Sequence, residues 1–293
     1  MFTLAHLSDP HLAPLPQPRL AELVGKRITG YANWWRHRRL IHDRAVLDKL
    51  VADLETRDAD HIALTGDIAN IAAEAEFACG RAFLERLGGP HEVSFVPGNH
   101  DIYAAAGARY AAREWGAYMR GDDGGAEFPY VRRRGPLALI GLSTGVPTLP
   151  LMATGTLGPR QIAALTPLLA RLRDEGLFRV VLIHHPPVSE TGWHKRLTDA
   201  APLLRALAAE GAELLLHGHD HRPMLNWLQG PAGTRVPAVG VPSASASPAH
   251  AKRPAGYNVY TIDGAAGAWH CEMVSRGVGA DGAIGETARA KLS

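Results

Sequence analysis

The chain has 293 residues, 46% of them hydrophobic, which is enough to fill a substantial core in one large or two small domains. A formal net charge of only +2 offers no support for nucleic-acid binding; Cys79 and Cys271, without C-x-x-C spacing, exclude a thiolate metal site and a disulfide scaffold and read as small buried hydrophobes. The first residues show no basic leader followed by an apolar stretch of signal-peptide length, and no segment approaches roughly 18 consecutive apolar residues, so the expectation is a cytoplasmic chain that does not span a membrane.

In chain order, an apolar run from Phe2 to Leu7 reads as a buried strand and ends at Asp9-Pro10-His11. Next comes Gly25 to Arg39, GKRITGYANWWRHRR, in which Lys26, Arg27, Arg36, Arg38 and Arg39 are interleaved with Tyr31, Trp34 and Trp35, and no acid occurs between Glu22 and Asp43. Leu47, Leu50, Val51 and Leu54 mark an amphipathic helix. Strands over Ile62 to Leu64 and Val93 to Val96 end at Gly66-Asp67 and at Gly98-Asn99-His100-Asp101. An insert from Ala104 to Arg134 reads as either a cap over the site or a plain surface helix. A strand over Leu137 to Leu142, a helix marked by Ile162, Leu165, Leu168, Leu169 and Leu172, and strands over Val180 to Ile183 and Leu214 to Leu216 follow. The last two strands run into His184-His185-Pro186 and His217-Gly218-His219-Asp220-His221. The alternation argues an α/β core with functional groups on loops at the carboxyl ends of strands. Beyond Pro223, runs over Met224 to Leu228, Val236 to Val241, Tyr257 to Ile262 and Ala268 to Val274 predict a second, partly antiparallel sheet. One domain over residues 1–276 is expected, with a Gly- and Ala-rich tail, 277–293, packing lightly or disordered.

Each of the five polar clusters is weak evidence alone, because Asp, Asn, Gly and His are ordinary loop residues. Together, in one order and each at a strand end, they gather carboxylate, imidazole and amide oxygen, which suit divalent or trivalent first-row metals. Gly66, Gly98 and Gly218 beside these residues would let the backbone turn sharply or approach a ligand closely.

This motif set resembles that of the calcineurin-like metallophosphoesterase superfamily, from Phe2 to about His221, and most resembles its bacterial branch of class III cyclic-nucleotide phosphodiesterases and glycerophosphodiesterases. The resemblance implies a four-layer α/β/β/α sandwich of two mixed β-sheets flanked by helices, with the strands after His221 completing the second sheet. It implies two metal ions, manganese or iron before zinc. Asp9, His11 and His221 would hold one, Asn99, His184 and His219 the other, and Asp67 would bridge them. His185 would lie beside the ligands or in the substrate pocket; His217 and His6 are read as strand residues. Pro10 departs from the family pattern, where a bulky aliphatic residue is usual, and removes a backbone donor while leaving both flanking ligands.

By the same resemblance His100 is the catalytic histidine, protonating the leaving-group oxygen, with Asp101 or Asn70 to orient it. Two metals sharing a water would depress its pKa toward neutrality for in-line attack on phosphorus, with Asp67 setting their separation. Asn99, His185, Trp34, Trp35 and Arg38 are the candidate substrate contacts. The segment from Gly25 to Arg39 has three readings: a grip on a small anionic substrate, a peripheral contact with an anionic membrane, or a cover that packs its tryptophans inward. A phosphodiester such as a cyclic nucleotide leads the substrate readings, a nucleotide-linked lipid pyrophosphate follows, and a nuclease is third. A non-catalytic scaffold of the same fold, as in the retromer subunit, predicts missing ligands or a replaced histidine, and the sequence shows neither.

Overall fold

The computed structural model describes residues 1–293. Twelve strands form two six-stranded sheets. In the first, β1 (Phe2–Leu7), β2 (His61–Leu64) and β3 (Val93–Phe95) run parallel, and β10 (Gly256–Ala265), β11 (Ala268–Val278) and β12 (Ile284–Lys291) extend it antiparallel from the far side of β1. In the second, β5 (Leu137–Gly141), β6 (Phe178–Leu182), β7 (Leu214–His217) and β9 (Arg235–Gly240) are parallel; β4 (Tyr130–Arg134) and β8 (Met224–Gln229) are antiparallel edges.

The alternation of side chains across a strand divides the interior in two. On β5, Leu137 and Leu139 join the larger hydrophobic cluster, which is continuous through the first sheet with Leu47, Leu50, Val51 and Leu54 of α2 (Arg44–Glu55) and Phe77, Phe83 and Leu84 of α3 (Glu74–Leu87). Ala138 and Ile140 face the other way, onto α5 (Gly158–Asp174) and α6 (Ala200–Glu210). The layers are thus helix, sheet, sheet, helix, as expected. The strands after Pro223 do not stay together, however. Those up to Gly240 finish the second sheet, and those from Gly256 return to the first, beside β1.

The expected loose tail is an edge strand instead: Ile284–Lys291 pairs along β11, and Leu292 is buried. Its mostly exposed side chains, with Glu286, Arg289 and Lys291 among them, suit a sheet edge, where charge discourages further pairing. The insert 104–134 is not a cap. Its helix α4 (Gly107–Trp115) packs on α3, with the Trp115 ring 4.6 Å from that of Phe77, and its Arg132 is buried on the carbonyls of Pro90, Val93, Ala117 and Arg120. Of the two cysteines only Cys271 is buried; Cys79 lies exposed on α3.

The helix α1 (Lys26–Asn33) continues through a π-type turn, Trp34–Arg38, and a final turn to Ile41. One face docks onto the domain. Arg27 donates to the carbonyls of Ile71 and Ala72, Gly30 lies where a Cβ would strike Tyr103, and Trp34 enters the core. The opposite face carries Ile28, Trp35 and Arg39 into solvent.

Candidate metal centre

The five polar clusters leave the carboxyl ends of β1, β2, β3, β6 and β7, and backbone hydrogen bonds lace them together. Asp9 N–H donates to Gly66 O (3.0 Å), His11 N–H to Asp67 O (3.0 Å) and Gly218 N–H to His184 O (3.1 Å). Asp101 lies beneath the centre with its carboxylate fully buried, accepting from the N–H groups of Asp67, Ala69 and Gly98. One side chain therefore joins the loops after β2 and β3.

Asp9, His11, Asp67, His219 and His221 all have positive φ, between 35° and 69°, and account for five of the nine non-glycine residues in that region. For residues with a Cβ this conformation is uncommon and costs energy, and its concentration here marks a site over-determined by its surroundings. The neighbouring glycines serve close approach: a Cβ on Gly98 would strike Asp67, and one on Gly218 would strike Ser8 and Asp9.

Hydrogen bonds fix which ring nitrogens face inward. His11 donates from Nδ1 to Ala69 O (3.0 Å), and His184 from Nδ1 to Thr65 O (2.6 Å), which leaves both Nε2 atoms free for a ligand. His219 turns Nε2 to Lys195 O (2.9 Å), leaving Nδ1. Asp67 Oδ1 accepts from His100 N–H (2.7 Å), while Oδ2 lies 3.8 Å from His11 Nε2 and 3.3 Å from His184 Nε2. Asn99 Oδ1 is 3.3 Å from His184 Nε2. On the other side, His221 Nε2 is 3.2 Å from Asp9 Oδ1 and 3.3 Å from His11 Nε2. The seven sequence-predicted ligands thus come together in two groups that meet at Asp67.

This donor set fits cations. Asp9 and Asp67 are buried carboxylates whose only ion-pair partners are histidines, with no lysine or arginine within pairing distance. Burial opposes a charge on His184, yet Asp67 and then Asp9 push its pKa up to about 10. Burial likewise opposes ionisation of Asp9, and His221, by charge and hydrogen bond, holds it well below the carboxylate range. Two acids in a dry site require positive charge, and without ions an imidazole must supply it. Within each of three groups, His11 with His42 and His221, His184 with His185 and His219, and Asp9 with His11 and Asp67, the ligand atoms lie within 4.8 Å of one another.

Other predicted contacts divide. His100 faces the cleft with Nδ1 donating to the backbone carbonyl of Asn70 (2.5 Å), so Asn70, through its main chain, is the orienting partner. Arg38 Nη1 is 2.8 Å from His100 Nε2. Burial and the Arg38 charge lower the His100 pKa to about 3. Arg38 lines a cleft of about 380 Å³ together with Asp67, Asn99, His100, His219 and His221. Trp34 does not reach it, being core, and Trp35 points to solvent under the Arg39 guanidinium (4.2 Å). His185 is fully buried and bonded to Thr144 Oγ1 (2.7 Å) and Ala153 O (3.1 Å), beside the ligands rather than in the open cleft.

His42 was not foreseen. Its ring is 4.4 Å from that of His11, with Nδ1 on Ser245 Oγ (2.9 Å) and Nε2 3.4 Å from Arg38. The available signal was its place, three residues after the basic segment and within one helical turn of Arg38. Nor did the sequence reveal Thr191 and Lys195, which line the opposite wall of the cleft.

The calcineurin-like phosphoesterase family model matches residues 2–223. Among solved structures, a dimetal phosphatase of Danio rerio is similar over 100% of this chain and 98% of its own, at 14% identity and TM-score 0.66. A purple acid phosphatase from yellow lupin (Lupinus luteus) seeds covers 99% of this chain with 53% of its own, at 12% identity and TM-score 0.58. A 5'-nucleotidase precursor of Thermus thermophilus covers 93% with 54% of its own, at 17% identity and TM-score 0.50. At these identities the likeness is one of fold. No curated protein matches the sequence. The family match extends over more than half of the chain, which belongs to the calcineurin-like phosphoesterases.

Proposed function

We propose that this calcineurin-like phosphoesterase hydrolyses a phosphodiester at two metal ions, one held by Asp9, His11 and His221 and the other by Asn99, His184 and His219, with Asp67 between them. The observation that carries this reading is Asp67 Oδ2, a single buried carboxylate oxygen facing one imidazole of each group, at 3.8 and 3.3 Å. When bound, two such ions, manganese or iron before zinc, supply a hydrolytic water of lowered pKa and positive charge toward the phosphoryl oxygens.

The chain's own residues do the rest. Arg38, the cleft's guanidinium, is suited to bind a phosphoryl oxygen. It lies against His100 and opposes a proton there. An anionic phosphoryl group would draw the guanidinium onto itself and offset its charge, allowing His100 to carry a proton on Nε2. Held at Nδ1 by Asn70 O, that ring would deliver the proton to the leaving oxygen. The cleft is open between Asn33, Arg38 and Ile41 on one side and Ala153, Thr191 and Lys195 on the other, which leaves room for a substituent on each side of a diester. A cyclic nucleotide is one such substrate; a nucleotide-linked lipid pyrophosphate is the second reading, favoured by exposed apolar side chains at the mouth.

The test is hydrolysis by metal-loaded protein of an aryl phosphodiester, an aryl phosphomonoester, a cyclic nucleotide and a lipid pyrophosphate. Turnover of the diester above the monoester is expected, and turnover of the monoester alone would overturn the proposal.

A further inference from the structure

Twelve large hydrophobic side chains are left exposed, and nine of them fall in three short segments: five within residues 20–40, two at 149–151 and two at 188–193. Scattered singly such residues need no explanation, but Trp35 and Leu40, Leu149 and Leu151, and Val188 and Trp193 each lie within about four residues of a residue that lines one cleft. Residues 33–42 supply one wall, Ala153 lies below, and Thr191 and Lys195 supply the opposite wall. They are also tied to each other. Lys26 Nζ donates to Thr148 Oγ1 (2.5 Å) and Met152 O (2.8 Å), and Ala153 N–H donates to His194 O (2.8 Å). The tips are large: Leu151 is 87% exposed, Leu149 76%, Trp193 72% and Trp35 54%.

The unpaired charge around them is mainly positive, Asp220 being the acid beside the third segment. Arg36, Arg39, Lys195 and Arg196 are exposed and make no ion pair with any acid. No acid occurs between Glu22 and Asp43 or over residues 143–158, and Glu190 in the third segment is paired with Arg222 at 3.1 Å. Apolar and aromatic tips interleaved with unpaired cations are the composition of a surface that rests in a lipid headgroup layer. Helical geometry gives the same division on α1 and the turns that follow it, where Arg27, Gly30, Trp34 and Arg38 face the protein and Ile28, Trp35 and Arg39 face out.

We propose that this rim docks the protein on an anionic lipid bilayer, with the mouth of the cleft facing the membrane. A bilayer is favoured over a protein partner because separate apolar tips on three segments, interleaved with unpaired cations, suit an anionic headgroup layer, which takes them without a complementary shape. The proposal rests on the cleft being the catalytic site only for its purpose, since docking itself needs no turnover.

The experiment is co-sedimentation of the metal-loaded protein with vesicles of phosphatidylcholine alone and of phosphatidylcholine with 30 mole per cent phosphatidylglycerol, a deliberately round ~30% chosen to give a negative surface potential. The wild-type protein is expected to bind the anionic vesicles, at least about tenfold better than the neutral ones, and less well as salt is raised. Two variants separate the contributions: Arg36→Glu with Arg39→Glu, and Leu151→Ser with Trp193→Ser. Each is expected to lose binding about tenfold or more while the circular-dichroism spectrum and thermal midpoint, which report that the variant is folded, stay at the wild-type level. Absence of wild-type binding, or binding that both variants retain, would overturn the proposal. So would a dimer in sedimentation velocity that the same substitutions dissociate, since the rim's occupant would then be a second copy. Failure of the diesterase assay leaves the vesicle result intact, so the two readings fail separately.

Discussion

The metal cradle and the rim around it are built on opposite principles, although Arg38 in one and Arg39 in the other are neighbours in sequence. In the cradle five of the seven ligands sit in a left-handed backbone conformation, and His11, His184 and His219 are each held by a hydrogen bond on the ring nitrogen turned away from the site. In the rim the apolar tips, Leu149, Leu151 and Trp193 among them, are exposed, and the cations Arg36, Arg39, Lys195 and Arg196 have no acidic partner. The contrast separates positioning for chemistry, which tolerates little displacement, from recognition of a partner with no fixed shape.

The sharpest way to break the contrast is at Asp67. Asp67→Asn removes the charge both metal groups share and is expected to abolish turnover and deplete both ions, as read by elemental analysis of purified protein. Retention of two ions would show that the bridge is not needed. Next in size, His100→Ala is expected to lower turnover by roughly two to four orders of magnitude while metal content stays near wild type. Equal metal loss in His100→Ala and His184→Ala would make His100 a ligand and exchange its role.

Two adjacent tryptophans then sharpen the boundary between the regions. Trp34→Ala should destabilise by about 3 to 5 kcal/mol, the scale for emptying a buried aromatic site, in a denaturant titration. Trp35→Ser should stay within about 0.5 kcal/mol by the same measurement. A large loss at Trp35 would place it in the core after all.

A smaller effect is expected from pH on the metal-free protein. His184 has its pKa raised to about 10 in the folded state, against the ordinary 6.5 when unfolded. Its contribution to stability is therefore fully present below the unfolded value and is lost as pH rises toward 10. Chelator-treated protein should lose stability from about pH 7 to pH 10 more than metal-loaded protein, in which His184 serves as a neutral ligand. Parallel stability curves would show that the proton on His184 does not replace a metal charge.

The cradle was legible in the sequence because its residues are consecutive, chemically distinctive and placed where apolar strands end. The edges were not, and of the rim only the basic aromatic segment from Gly25 to Arg39 was, for reasons that are local to each. Tyr130–Arg134 and Ile284–Lys291 are charged edge strands, so their polarity hid their pairing. Met224–Gln229 and Gly256–Ala265 both read as strands, but no short-range signal says that one joins β9 and the other β1. Trp34 and Trp35 have the same composition around them, and only the helical phase set by Arg27, Gly30 and Arg38 decides which one is buried. His42 is a single histidine outside any cluster, and its approach to His11 is a tertiary fact. Cys79 is exposed because it lies on the outer face of α3, between the buried Phe77 and Gly80, a matter of one helical step.

The left-handed backbone of Asp9, His11, Asp67, His219 and His221 sets a limit on how these loops can vary. A β-branched residue at any of the five meets the steric cost of positive φ in addition to losing a donor atom, whereas asparagine, of the residues with a Cβ, tolerates that conformation best. The loops therefore restrict substitution twice, once through the side chain and once through the main chain.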